Sequence, residues 1–95
     1  MDSSDAFELI RRAIEADPRK RIAICRYDER HFGSFIISFE DDGEQRSIIN
    51  DRGFVVLAEG FDGIGETIST VASLYNADRQ SLLRGLSLCP TTTPC

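Results

Sequence analysis

The chain has 95 residues and carries 16 acidic side chains against 11 basic ones, a net charge of −5. That balance repels phosphate backbones at long range and favours basic partners. With 41% hydrophobic residues and no apolar run near the roughly 18 residues of a membrane span, the composition is that of one globular domain. It predicts no membrane association. The stretch Met1-Asp2-Ser3-Ser4-Asp5 is acidic and lacks the basic and apolar regions of a secretory signal, so the expected location is cytoplasmic.

Residues 5–16 read as a first helix. Ala6, Leu9, Ile10 and Ala13 recur at helical spacing, and Phe7 and Ile14 widen the apolar stripe. Asp5 with Glu8 resembles a capping box. Asp17-Pro18 ends the element, because a residue before proline avoids the α region. Four short runs rich in Ile, Val and Phe follow: Arg21–Tyr27, Phe32–Phe39, Gln45–Asn50 and Phe54–Ala58. They are separated by Asp28-Glu29-Arg30-His31, by Asp41-Asp42-Gly43 and by Asn50-Asp51-Arg52-Gly53. These breaks leave no room for crossover helices, so the runs join as antiparallel hairpins. Asp42-Gly43 suits a two-residue turn with both central residues at positive φ.

In the first run Ile22 and Ile24 are expected on one side, with Ala23, Cys25 and Tyr27 on the other. In the second, Phe35, Ile37 and Phe39 share a face. Ile36 breaks the polar pattern of the opposite face and suggests partial cover there. After Ala58, Glu59 through Gly65 reads as a flexible elbow. Ile64, Ile68, Val71, Ala72 and Tyr75 then fall at helical spacing. Asp78 is placed to cap a last short helix carrying Leu82, Leu83 and Leu86. The expected fold is therefore α+β: an N-terminal helix, a four-stranded antiparallel β-meander, and one or two C-terminal helices packed on one sheet face. Residues 1–88 form the single domain, and 89–95 read as a flexible tail.

Three cysteines give no metal-ligand set. Cys25 is expected to be a buried thiol in the first strand. Cys89 and Cys95 sit in the tail and are expected to be reduced. No metal or cofactor is expected. The nominal constellation Cys25, Asp28 and His31 lacks an oriented third group and a pocket, so the chain reads as non-enzymatic. Gly60, Gly63 and Gly65 superficially suggest a phosphate cradle, but Glu59, Asp62 and Glu66 beside them repel phosphate.

Strand direction alternates in a meander, so Glu40, Asp41, Asp42, Glu44, Glu59, Asp62 and Glu66 are expected to gather at one end. Arg19, Lys20 and Arg21 enter there too and offset part of the charge. The leading reading is a small protein-binding module, acting as an adaptor, inhibitor or chaperone-like partner, whose acidic surface docks a basic protein. In size, acidity and helix–meander–helix order the chain resembles secretion chaperones and the immunity proteins that block toxins, with no motif carrying the likeness.

The alternative is a DNA-binding regulator. Residues 68–88 resemble a helix-turn-helix, with Ala72, Asn76, Ala77 and Leu82 in its packing positions and Arg79, Gln80, Ser81 and Arg84 facing a groove. The segment from Ile64 to Leu88 has no net positive charge, and neutralising phosphates normally dominates affinity. Nucleic acid is therefore disfavoured. The helix–strands–helix order also resembles double-stranded RNA-binding domains, which need a basic helix start; here the corresponding start is Glu66 after an acidic elbow. A homodimer through the leucine-rich C-terminal helices is a further expectation. A purely structural role is the remaining reading.

Overall fold

The computed structural model describes residues 2–31, 33–60, 67–74, 78–86 and 88. Helix α1 (Ser3–Glu15) is followed by β1 (Lys20–Asp28), a 3-10 turn over Glu29–His31, and β2 (Ser34–Asp41). Then come β3 (Glu44–Asp51), β4 (Phe54–Glu59), β5 (Thr67–Ser73) and α2 (Arg79–Gly85). The strands form one antiparallel sheet in the order β1-β2-β3-β4-β5. The four expected hairpin-joined strands are present, and a fifth extends them.

Two turns explain the meander. Asp42 and Gly43 lie at φ 54° and 89°, and Arg52 and Gly53 at 53° and 89°. Positive φ at both central positions matches the twist of the flanking strands and closes two-residue hairpins. Register follows directly: Asp41 pairs with Glu44 across the first turn and Asp51 with Phe54 across the second.

One face of the sheet carries the core. Phe35, Ile37 and Phe39 of β2, Ile48 of β3, and Val55 and Leu57 of β4 are all buried. They pack against Ala6, Ile10 and Ile14 of α1 and against Leu74, Leu82, Leu86 and Leu88. Phe7 bridges α1 to the sheet, its ring centroid 5.3 Å from that of Tyr27 and 5.4 Å from that of Phe35. Asn50 is the polar centre of this face. It is 1% exposed, its Nδ2 donates to Gly33 O (3.0 Å) and Ser3 Oγ (3.2 Å), and its Oδ1 accepts from Gly53 N (3.1 Å). One side chain thus ties the start of α1, the β1–β2 connection and the β3–β4 hairpin together.

Several expectations are corrected. Over 67–73 the backbone is strand β5, not the helix that the spacing of Ile68, Val71 and Ala72 predicts. Ile64 and Tyr75 lie outside the described residues. Thr67, Ile68, Thr70 and Val71 are β-branched, stiff at χ1, and favoured on a pleated surface. In β1 a bulge between Ile22 and Ile24 puts these two residues on opposite faces rather than one. Ile22 pairs with Phe39 and packs against the core, whereas Ile24 pairs with Ser38 on the far face. Cys25 is exposed rather than buried, because β1 is the sheet's edge. Helix α1 starts at Ser3 with Asp2 as N-cap and no side-chain cap bond, so the Asp5–Glu8 capping box does not form. Glu8 instead pairs with Arg11 and Arg12 along the helix.

Candidate functional site

The meander brings β2, β3 and β4 to a common end, and with them Glu40, Asp41, Asp42, Glu44 and Glu59. Arg21 pairs with Glu40 and Lys20 with Asp41 across β1–β2, Glu40 pairs with Gln45 across β2–β3, and Arg46 pairs with Glu59 across β3–β4. Asp62 and Glu66, expected at the same end, lie outside the described residues, as do Gly63, Gly65 and the tail 89–95.

Two layers of charge are distinguishable there. The inner layer is closed on itself. The Lys20 side chain is only 7% exposed, with Nζ 2.7 Å from Asp17 Oδ2 and 3.6 Å from Asp41 Oδ1. Asp17 also accepts from Arg19 N at 3.0 Å. The Lys20 ammonium, with the Arg19 backbone and guanidinium, holds the Asp17 carboxyl well below the usual carboxylate range. Asp42 N donates to Arg19 O at 3.1 Å, locking the hairpin tip to the entry of β1. These groups surround a hollow of about 340 Å³ lined by Arg19, Lys20, Asp41, Asp42 and Glu44.

The outer layer faces solvent. Asp42, Glu44 and Glu59 are exposed. Glu44 pairs at the surface with Arg46 Nη2 at 2.6 Å, a contact that water competes with effectively. Arg46 is the counter-charge that sequence reasoning missed; it stands two residues from Glu44 on the same strand face, and hairpin counting places it opposite Glu59. The other end of the sheet carries Asp28, Glu29, Arg30, Asp51 and Arg52, close to balance. There Arg30 N donates to Asp28 Oδ1 at 2.9 Å.

The remaining candidates fare differently. Arg79, Gln80, Ser81 and Arg84 are exposed on α2, and Asp78 caps that helix as expected, accepting from Ser81 N at 2.7 Å. That bond, with one from the Ser81 side chain, lowers the Asp78 pKa. The helix-turn-helix itself is overturned. Ala72, required in its first helix, lies in β5 opposite Val55, and Leu82 is core; Asn76 and Ala77 lie outside the described residues. The leucines offered for a homodimer through α2 are spent in the core, since Leu82 and Leu86 are 0% and 3% exposed and Leu83 packs against the same cluster.

Gly60 belongs to the sheet rather than to a phosphate cradle: its N donates to Gln45 O at 2.9 Å and its O accepts from Ser47 Oγ at 2.6 Å. Partial burial pushes the Cys25 thiol pKa up, the direction opposite to that of an activated thiolate. Among the described residues no group of three or more His, Cys, Asp or Glu side chains is placed to hold a metal ion, and no helix is long and apolar enough to cross a membrane.

No protein-family model, curated protein or solved structure matches the chain.

Proposed function

We propose that the chain is a non-enzymatic protein-binding module whose acidic end docks a basic partner. The observation that supports this most is the separation of charge into two layers. Lys20 satisfies the inner carboxylates Asp17 and Asp41, while Asp42 and Glu44 on the β2–β3 hairpin and Glu59 at the end of β4 remain exposed. Carboxylates held on rigid turns lose little freedom on binding, so they favour association with cations more than mobile ones do. Such contacts raise on-rate and specificity, and they weaken with salt.

The test is capture by the tagged full chain from its own cells at low salt, with the companion identified and its charge determined. The expected companion is basic, released by added salt, and lost with the combined substitution Asp42→Asn, Glu44→Gln and Glu59→Gln. Undiminished capture by that variant, with its fold intact by circular dichroism, refutes the proposal.

A further inference from the structure

A cation stands inside the outer carboxylate layer. Arg46 Nη2 lies 2.6 Å from Glu44 Oε2. Register sets Arg46 directly opposite Glu59 on β4 and opposite the buried Phe39 on β2. Directly paired residues share a face of a sheet, and so do residues two apart on one strand. Glu44, Arg46 and Glu59 therefore project together. The arginine is the more closely held of the bonded pair, its side chain 31% exposed against 70% for Glu44. That profile suits a stem laid on apolar surface with its charged head in water, and Phe39 is the cross-strand neighbour on that face.

We infer, resting on the acidic end as the docking surface, that Arg46 is a built-in competitor for it: the guanidinium holds Glu44 beside Glu59 as a partner's cation would, and docking displaces it. A partner with a single cation then exchanges one arginine–carboxylate pair for another of the same kind and gains little. Two cations close together do more, because one takes Glu44 from Arg46 while the other meets Glu59. Two residues along a strand and one strand across put Glu44 and Glu59 about 8 Å apart at Cα, a span that two neighbouring arginines cover. Arg46 thus holds affinity below what the carboxylates alone would give, and it selects partners whose basic residues are paired.

The size of the effect follows from Coulomb's law. Removing one unit charge about 5–6 Å from a bound cation, at a near-aqueous dielectric, changes affinity about fivefold at low salt. Arg30, at the opposite end of the sheet, stands roughly 20 Å away by strand rise, beyond the Debye length of about 10 Å at 0.1 M salt. Its removal alters net charge equally without touching the competition.

NMR titration of the full chain in 0.05 M sodium chloride provides the test, with two glycine-rich peptides of equal length. Each carries four arginines, as adjacent pairs in one and evenly dispersed in the other. The wild type is expected to prefer the paired peptide by about threefold or more, and the Arg46 Nε–Hε resonance is expected to move as the guanidinium leaves Glu44. Arg46→Gln is expected to bind the paired peptide about fivefold more tightly, and the dispersed one by a larger factor, so that the preference narrows. Arg30→Gln is expected to stay within about 1.5-fold of the wild type. Arg46→Met, which keeps an apolar stem beside Phe39, is expected to match Arg46→Gln, so a loss of fold in one variant does not pass for a loss of competition. Peptide binding that survives Asp42→Asn, Glu44→Gln and Glu59→Gln together overturns the docking surface and the competitor with it. Binding that needs those carboxylates, yet is unchanged or weakened in folded Arg46→Gln and Arg46→Met, overturns the competitor alone. So does an equal gain in Arg30→Gln, or an Arg46 resonance that the peptide leaves in place.

Discussion

Replacing Asn50 with alanine is the substitution whose cost is best determined by the structure. The amide is 1% exposed and makes its hydrogen bonds to Gly33 O, Gly53 N and Ser3 Oγ. Gly33 and Gly53 are themselves buried, so the truncation orphans one carbonyl and one N–H inside the protein. Each orphan costs about 1–3 kcal/mol, and the bond to the half-buried Ser3 adds little. The expected loss is about 3 kcal/mol, a large share of the roughly 5–15 kcal/mol available to a domain of this size. It corresponds to a fall in Tm of roughly 10–20 °C. Urea denaturation followed by circular dichroism reads it directly. Asn50→Asp sharpens the reasoning, because the new carboxylate faces the Gly33 carbonyl and cannot donate to it when ionised. Burial raises its pKa in the fold above the unfolded value of about 3.9. Its penalty is therefore smallest below about pH 4 and grows toward pH 7. A cost under about 0.5 kcal/mol for Asn50→Ala, or a pH-independent cost for Asn50→Asp, would mean that this amide does not hold the three connections together.

Three further outcomes are expected. Arg52 occupies left-handed backbone at φ 53°, which an L side chain tolerates at a cost of about 1 kcal/mol; Arg52→Asn restores a favoured hairpin pair and is expected to raise stability by roughly 0.5–1 kcal/mol in the same denaturation assay. Asp17 has its folded pKa depressed mainly by Lys20, so its contribution is present above the unfolded pKa of about 3.9 and is lost as pH falls through the lower folded value. Asp17→Asn is expected to flatten the acid limb of the stability profile, and an unchanged limb contradicts the inner charge layer. On α2, Leu82→Ala is expected to cost about 2–5 kcal/mol as a core truncation, whereas Arg84→Ala, on an exposed side chain, is expected to stay within about 0.5 kcal/mol; similar values for the two would mean that α2 does not complete the core.

The hairpins were legible because their turns carry their own chemistry. Asp42-Gly43 and Gly53 supply positive φ, and alternation in β2 separates Phe35, Ile37 and Phe39 from Ser34 and Ser38. Register then places Glu40, Asp41, Asp42, Glu44 and Glu59 together, since antiparallel pairing leaves no freedom once both turns are set. The strand β5 was misread because Ile64, Ile68, Val71, Ala72 and Tyr75 fall at a helical period and not at a strand's alternation. The density of Thr, Ile and Val over 67–71 was the discriminating signal. The division of Ile22 from Ile24 turned on a bulge, which one inserted residue creates without any compositional mark, and the exposure of Cys25 turned on β1 being the sheet's edge. Phe54 was read only as the start of a strand; its exposure depends on which face α1 covers, a tertiary fact. The role of Asn50 was hidden for the same reason, because its partners at Ser3 and Gly33 are 47 and 17 residues away.

The central claim is that one end of the sheet is the docking surface. The most direct measurement is an amide-resolved NMR titration of the full chain with a short arginine-rich peptide at low salt. The account predicts shifts concentrated at residues 40–46 and at Glu59, abolished by 0.5 M sodium chloride and by the Asp42→Asn, Glu44→Gln, Glu59→Gln variant. Shifts spread evenly over the surface, or centred on the Arg30 and Arg52 end, would contradict it.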